Sequence, residues 1–236
     1  MSKTALQVLN EVGKNLRRSS GSTYASLTQD QNAVFLMQAI NEAKRQVEDE
    51  LLDWDWPGLR TQVTFDSVAL QAEYDLSDAL VATPVTTDRS RVVYDQAGRL
   101  QVWDVTEAGA NFRLCETTRD DALNTRLLSA QAVEKPSQVA IYQNGDGLTV
   151  YFPVVPTGVR NYRLEVMQPQ EDLSAAATVL LTPYRLVVLA ATALACEERG
   201  EELGMTATRW WEQYRQAMSF TLGRDTNAAD LYLIPE

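Results

Sequence analysis

The chain has 236 residues, 45% of them hydrophobic, with 21 Lys and Arg against 32 Asp and Glu and no histidine. That length supplies one large domain or two small ones with a real core, and a net charge of −11 excludes a groove-reading binder of nucleic-acid phosphates. Without histidine there is no Ser-His-Asp or Cys-His relay and no His-ligated zinc site.

In chain order, residues 3–18 place Leu6, Leu9, Val12 and Leu16 on one helical stripe, and a polar link, residues 19–23, follows. Thr28 with Gln31 fits a capping box for a second helix, in which Leu36, Ile40, Ala43, Val47 and Leu51 recur at helical spacing up to Pro57-Gly58. From Thr61 the period becomes two: Val63 and Phe65 alternate with polar neighbours, as in a half-buried strand. Residues 91–94 and 100–105 flank Asp95-Gln96-Ala97-Gly98, which predicts a hairpin. Residues 139–143 and 148–152 flank Asn144-Gly145-Asp146-Gly147, which predicts another. A short helix is expected at 120–130, between the hairpins, and Tyr162, Leu164 and Val166 alternate in a further strand. Thr182-Pro183 opens a helix expected to run to Leu203 and stop at Gly204; Thr206 caps another, with Trp210, Trp211, Tyr214, Ala217 and Met218, ending near Gly223. Residues 225–236 read as extended, with Leu231-Tyr232-Leu233-Ile234 as an apolar plug.

The expected fold class is therefore α+β: a helical bundle formed from the two chain ends, an inserted and mainly antiparallel β region, and an extended tail. The divisions are residues 1–60, 61–181, 182–224 and 225–236. Residues 61–181 carry nine basic and sixteen acidic groups, so most of the net charge falls in the insert. Cys115 and Cys196 read as two buried free thiols of a reducing cytoplasm, a single disulfide being the alternative. The N-terminus lacks an apolar signal core, and no apolar run approaches the roughly 20 residues that span a bilayer, so a soluble cytoplasmic chain is expected.

Several groups invite a chemical reading. Asp53-Trp54-Asp55-Trp56 pairs two carboxylates, as glycosidase chemistry requires, but at a helix exit Trp packs and Asp solvates. Asp120-Asp121 suits the acidic first turn of a helix. Asn144–Gly147 lacks the rest of a calcium loop, and no phosphate-binding glycine loop occurs. Lys14, Arg17 and Arg18 complement a helix C-terminus or meet an acidic neighbour. Adjacent Trp210 and Trp211 point about 100° apart, so one suits a core and the other an interface. Glu197, Glu198, Glu201 and Glu202 make an acidic helix face. The apolar plug, residues 231–234, either docks on another subunit by strand addition or groove filling, or packs back on its own domain.

The layout resembles the head-to-tail adaptor (connector) proteins of tailed bacteriophages, the tail tubular protein A group. The resemblance lies in the helix pair marked by residues 5–10 and 41–45, leading to Trp54 and Trp56. It continues through Pro136-Ser137-Gln138-Val139-Ala140-Ile141-Tyr142, Leu148-Thr149-Val150-Tyr151-Phe152-Pro153, Tyr162–Val166, Asp172-Leu173 and Thr182-Pro183-Tyr184. Residues 66–118 match less well. The resemblance implies a structural virion protein, not an enzyme and without cofactor or metal. It implies a homo-oligomeric ring of about twelve subunits beneath the portal protein. That ring lets genomic DNA pass unbound and offers a platform to a tail or collar (nozzle) protein, with no membrane partner. It would be assembled in the host bacterial cytoplasm and end in the virion neck. It implies portal docking through Leu231, Tyr232, Leu233 and Ile234. Trp54, Trp56, Trp210 and Trp211 are candidates for the subunit interface, and Glu197, Glu198, Glu201 and Glu202 for an acidic channel surface. Two other classes compete: a carbohydrate-binding or adhesion module stacking sugars on Tyr94, Trp103 or Tyr151, and a hydrolase built on Asp/Glu pairs.

Overall fold

A computed structural model describes residues 2–16, 23–52, 56–78, 81, 84–85, 89–95, 97–128, 132–144, 147–198 and 204–230; in the last stretch side chains are described for 207–223. The helices are α1 (Ala5–Leu16), α2 (Gln31–Leu52), α3 (Arg119–Leu128), α4 (Tyr184–Glu198) and α5 (Gly204–Asp230). The strands are β1 (Arg60–Asp66), β2 (Glu73–Asp75), β3 (Arg91–Val92), β4 (Val102–Asp104), β5 (Phe112–Arg113) and β6 (Cys115–Glu116). They continue as β7 (Ala132–Val133), β8 (Gln138–Asn144), β9 (Gly147–Tyr151), β10 (Val155–Pro156) and β11 (Asn161–Met167). Two units emerge: residues 1–54 with 170–236, and residues 55–169.

In the first unit α4 is the buried element. Its run Leu186–Ala193 is enclosed throughout, as an all-round apolar helix must be. It packs against α1, α2 and α5. The α2 stripe of Leu36, Ile40, Ala43, Val47 and Leu51 is buried as its spacing requires. The cap differs from the expectation: Asp30 Oδ1 accepts the Ala33 N–H at 2.7 Å, so Asp30 rather than Thr28 closes that helix. On α1 the buried face is Ala5, Val8, Leu9, Val12 and Gly13, with Leu6 and Leu16 half-buried, a rotation from the predicted stripe. An extended stretch frames the helices. Ala5 N–H donates to the Thr178 carbonyl and Leu180 N–H to that of Lys3, around an antiparallel bridge between Thr4 and Val179.

The second unit is built on β11. Its buried Tyr162, Leu164 and Val166 meet Val63 and Phe65 of β1, paired antiparallel along seven residues each. On its other edge β11 pairs with both β3 and β4, and β4 continues to β5. The segments around Asp95 thus turn back through a single Tyr94–Leu100 bridge rather than a ladder, and find their partners on β11. Asp95 shapes that turn by accepting from Ala97 and Arg99 N–H at 2.9 and 2.8 Å, and Gly98 supplies the positive φ of 69°. The second predicted hairpin is a true ladder, β8 on β9, in register from Ala140–Tyr151 to Asn144–Gly147. Phe65, Tyr74, Phe152 and Tyr162 cluster between the sheets, with Phe152 and Tyr162 centroids 4.8 Å apart.

The fold class expected from the sequence does not hold. Among the described residues this is a mixed α/β chain with five helices and three sheets, strands dominating its middle, and not a clear helical bundle with an inserted β region. Most strand pairings are antiparallel, as expected. Two of the strand pairings are parallel, β6 with β8 and β10 with β7. Parallel pairs need crossover connections, which local alternation of residues does not reveal. α3 supplies part of one crossover and buries Ala122 against Ala140 and Tyr151, so the β8–β9 sheet carries a helix layer. At the end of the chain α5 begins at Gly204, the expected helix stop, and continues to Asp230. Residues 225–230 are therefore helical, not extended.

Candidate functional site

Along α5, Trp211, Tyr214, Arg215, Met218, Ser219 and Leu222 recur at steps of three or four and so share a broad face. Across from them α2 offers Gln46 and Glu50, one turn apart, and α4 offers Glu197. Together these side chains line an open groove of about 630 Å³ in the first unit. Trp211 donates its indole N–H to Glu197 Oε1 at 2.6 Å, and its ring meets Tyr214 edge-on with centroids 5.6 Å apart. Tyr214 is buried, with the Glu50 carboxylate beside its hydroxyl. Burial, and then the nearby Glu50 charge, push that phenol well above its ordinary pKa, so it stays protonated. The groove is thus an aromatic and thioether floor with carboxylates and one guanidinium at its mouth, chemistry suited to binding an apolar side chain flanked by a cation.

The residues singled out in the sequence are distributed as follows. Trp211 lines the groove, while Trp210 is half-buried and does not. Trp56 lies in the other unit, half-buried, its indole nitrogen enclosed without a partner. Glu197 is exposed but hydrogen-bonded to Trp211, and Glu198 is exposed beside it. Trp54, Glu201, Glu202 and the segment Leu231, Tyr232, Leu233, Ile234 lie outside the described residues, as do Asp53 and Asp55. Arg17 and Arg18 lie outside them as well. Asp121 opens α3 in a reciprocal cap: its N–H donates to Thr118 Oγ1, whose hydroxyl donates to Asp121 Oδ2 at 2.8 Å. Neither cysteine is in a disulfide, but only Cys196 is buried; Cys115 is exposed on the short strand β6.

Of the three aromatic platforms, Tyr151 is buried under α3 and cannot stack a sugar. Tyr94 is exposed and donates to Glu116 at 2.9 Å, and Trp103 is half-buried beside the Arg113 guanidinium. Among the described residues no group of three or more Cys, Asp or Glu could hold a metal ion, and no helix is long and apolar enough to cross a membrane.

Sequence reasoning missed Glu50, Gln46 and Arg215 as members of the site. The α5 periodicity carried half of the signal. The other half comes from α2, about 160 residues earlier in the chain, and no local pattern couples the two. No known protein family model matches this chain, and no curated protein matches it.

Proposed function

We propose that the chain is a structural head-to-tail adaptor of a tailed bacteriophage. Copies form a ring beneath the portal protein, extend the DNA channel and offer a platform to a tail or collar protein. The observation that carries the reading is the α5 groove. Trp, Tyr, Met and Arg, the residue types enriched at protein interfaces, line an open surface whose tryptophan is already fixed by Glu197. The sequence resemblance through residues 136–153 and 162–166 supports the same assignment. Charge supports it as well. The unit holding the helical ends carries net −6 and the strand-rich unit −5, so acidity is spread through the chain rather than confined to its middle. About twelve copies would total on the order of −130, a wall past which phosphates slide without binding.

The docking element in this reading is the apolar segment Leu231–Ile234 that follows α5, meeting the portal by strand addition or groove filling. The adaptor assembles in the host cytoplasm and ends in the virion neck. Electron microscopy of the chain mixed with portal tests the reading: rings with a central channel, coaxial with the portal, are expected. A truncation after Asp230 should keep the fold and lose portal binding. Undiminished binding by that truncation removes the docking role of the segment, and particles without rings remove the adaptor function itself.

A further inference from the structure

We propose that the ring contact is made by α3 of one copy seated in the α5 groove of the next. The inference rests on the adaptor reading and names its interface. On α3 only Ala122 is buried, whereas Leu123, Leu127 and Leu128 are 39, 83 and 88% exposed. Leu123 and Leu127 lie one turn apart on one face and form an apolar stripe, and Leu128, also exposed, points about 100° round from Leu127 at the helix end. Arg126, one turn after the buried Ala122 and next to Leu127 in sequence, is half-buried, its Nη1 enclosed without an acceptor and with no ion pair among the described residues. The groove is the chemical counterpart. Met218, Leu222 and the Trp211 ring offer apolar surface for leucines, and Glu50 with Glu197 offers two carboxylates to one resident cation, Arg215. A guanidinium arriving with the leucines meets an excess of negative charge.

The two patches differ, one on each unit, so the contact joins unlike surfaces. Such a head-to-tail contact leaves a free groove and a free α3 on every dimer. Assembly then continues, and in the adaptor reading the rotation between neighbours closes it into a ring.

Sedimentation velocity on the full chain over a concentration series, with circular dichroism as the folding control, tests this. The wild type is expected to form oligomers. Leu127→Asp with Leu128→Asp, on exposed positions, and Ser219→Arg, which fills the groove from an exposed position, should each be folded and monomeric. Arg126→Glu should weaken association about tenfold or more. Mixing the Leu127/Leu128 variant with Ser219→Arg leaves one intact groove and one intact α3, so the mixture should give dimers and nothing larger. A monomeric wild type, or oligomers unchanged in the α3 variant, overturns the contact. The adaptor reading fails separately. Portal-bound rings that persist in the α3 variant remove only the contact. Variant-sensitive oligomers that never form a ring on portal remove only the adaptor function.

Discussion

Lys44 and Glu48 form an ion pair at 3.2 Å with both side chains wholly buried, and both hold the backbone of Gln170. Lys44 Nζ donates to the Gln170 carbonyl, and Gln170 N–H donates to Glu48 Oε1 at 3.1 Å. The pair is one helical turn of α2, yet its task is to tie the extended return segment to that helix. Asn41 does the same one turn earlier, accepting the Leu173 N–H at 2.9 Å.

Removing one member strands the other charge in the interior. Glu48→Ala is expected to cost about 3–5 kcal/mol in urea unfolding. The double substitution Lys44→Met, Glu48→Leu should cost less than that single one, because no charge is left unpaired. It should still fall short of wild type by about 1–3 kcal/mol, since Gln170 loses two partners. A double variant less stable than Glu48→Ala contradicts this account.

Asp104 and Arg160 form the corresponding pair of the second unit, 2.5 Å apart and both buried. Burial alone would raise the Asp104 carboxyl. Hydrogen bonds from Thr106 and Arg160 outweigh it and hold the carboxyl below its ordinary value of 3.8. A depressed folded pKa contributes stability that is fully present above the unfolded value and lost as pH falls through the folded one. Acid titration of unfolding should therefore show a loss below about pH 4 that Asp104→Asn removes. That variant should also be about 3–5 kcal/mol less stable at pH 7. An unchanged acid slope in the variant assigns the loss to other carboxylates.

Among the described residues Tyr162 buries a hydroxyl without a partner. Such a group bears a desolvation cost with no compensating bond. Tyr162→Phe is expected to be as stable as the wild type or more stable, by up to about 1 kcal/mol. A clear loss places a hydrogen-bonding water at that hydroxyl.

Gly13 sits in α1 where a Cβ would meet Tyr24 Cε2 at 2.9 Å. Alanine there gains about 1 kcal/mol of helix propensity. The Tyr24 ring is buried and its backbone is held at both ends by Asn10, so it cannot yield freely. Overpacking should win, with Gly13→Ala destabilised by about 1–2 kcal/mol in thermal or urea melts.

Much of the local structure was legible because period and burial coincide. Val63 and Phe65, the α2 stripe, and Tyr162, Leu164 and Val166 all bury the side their spacing predicts. The hairpin at Asn144 was legible from turn chemistry. What escaped is pairing at a distance. Nothing around Arg91 or Val102 announces that both strands seek β11, or that Cys115 pairs parallel to Gln138. The α2 cap was misplaced because two candidates compete, and Asp30 displaced Thr28. Thr182, ahead of α4, buries its hydroxyl without a partner among the described residues. The candidate site was half legible, its α5 face written at helical spacing and its α2 wall hidden by sequence separation.

The pairing of β1 with β11 has a consequence for how the chain is made. Val63 cannot find Leu164 until about a hundred further residues have been synthesised, and α1 and α2 must wait longer still for α4. On the ribosome the strand-rich unit, whose last residue is Pro169, is therefore complete before the unit to which the first 54 residues belong. Residues 1–54 are thus made before the strand-rich unit and buried after it. During that interval the apolar faces of α1 and α2 that α4 will cover stay open to solvent.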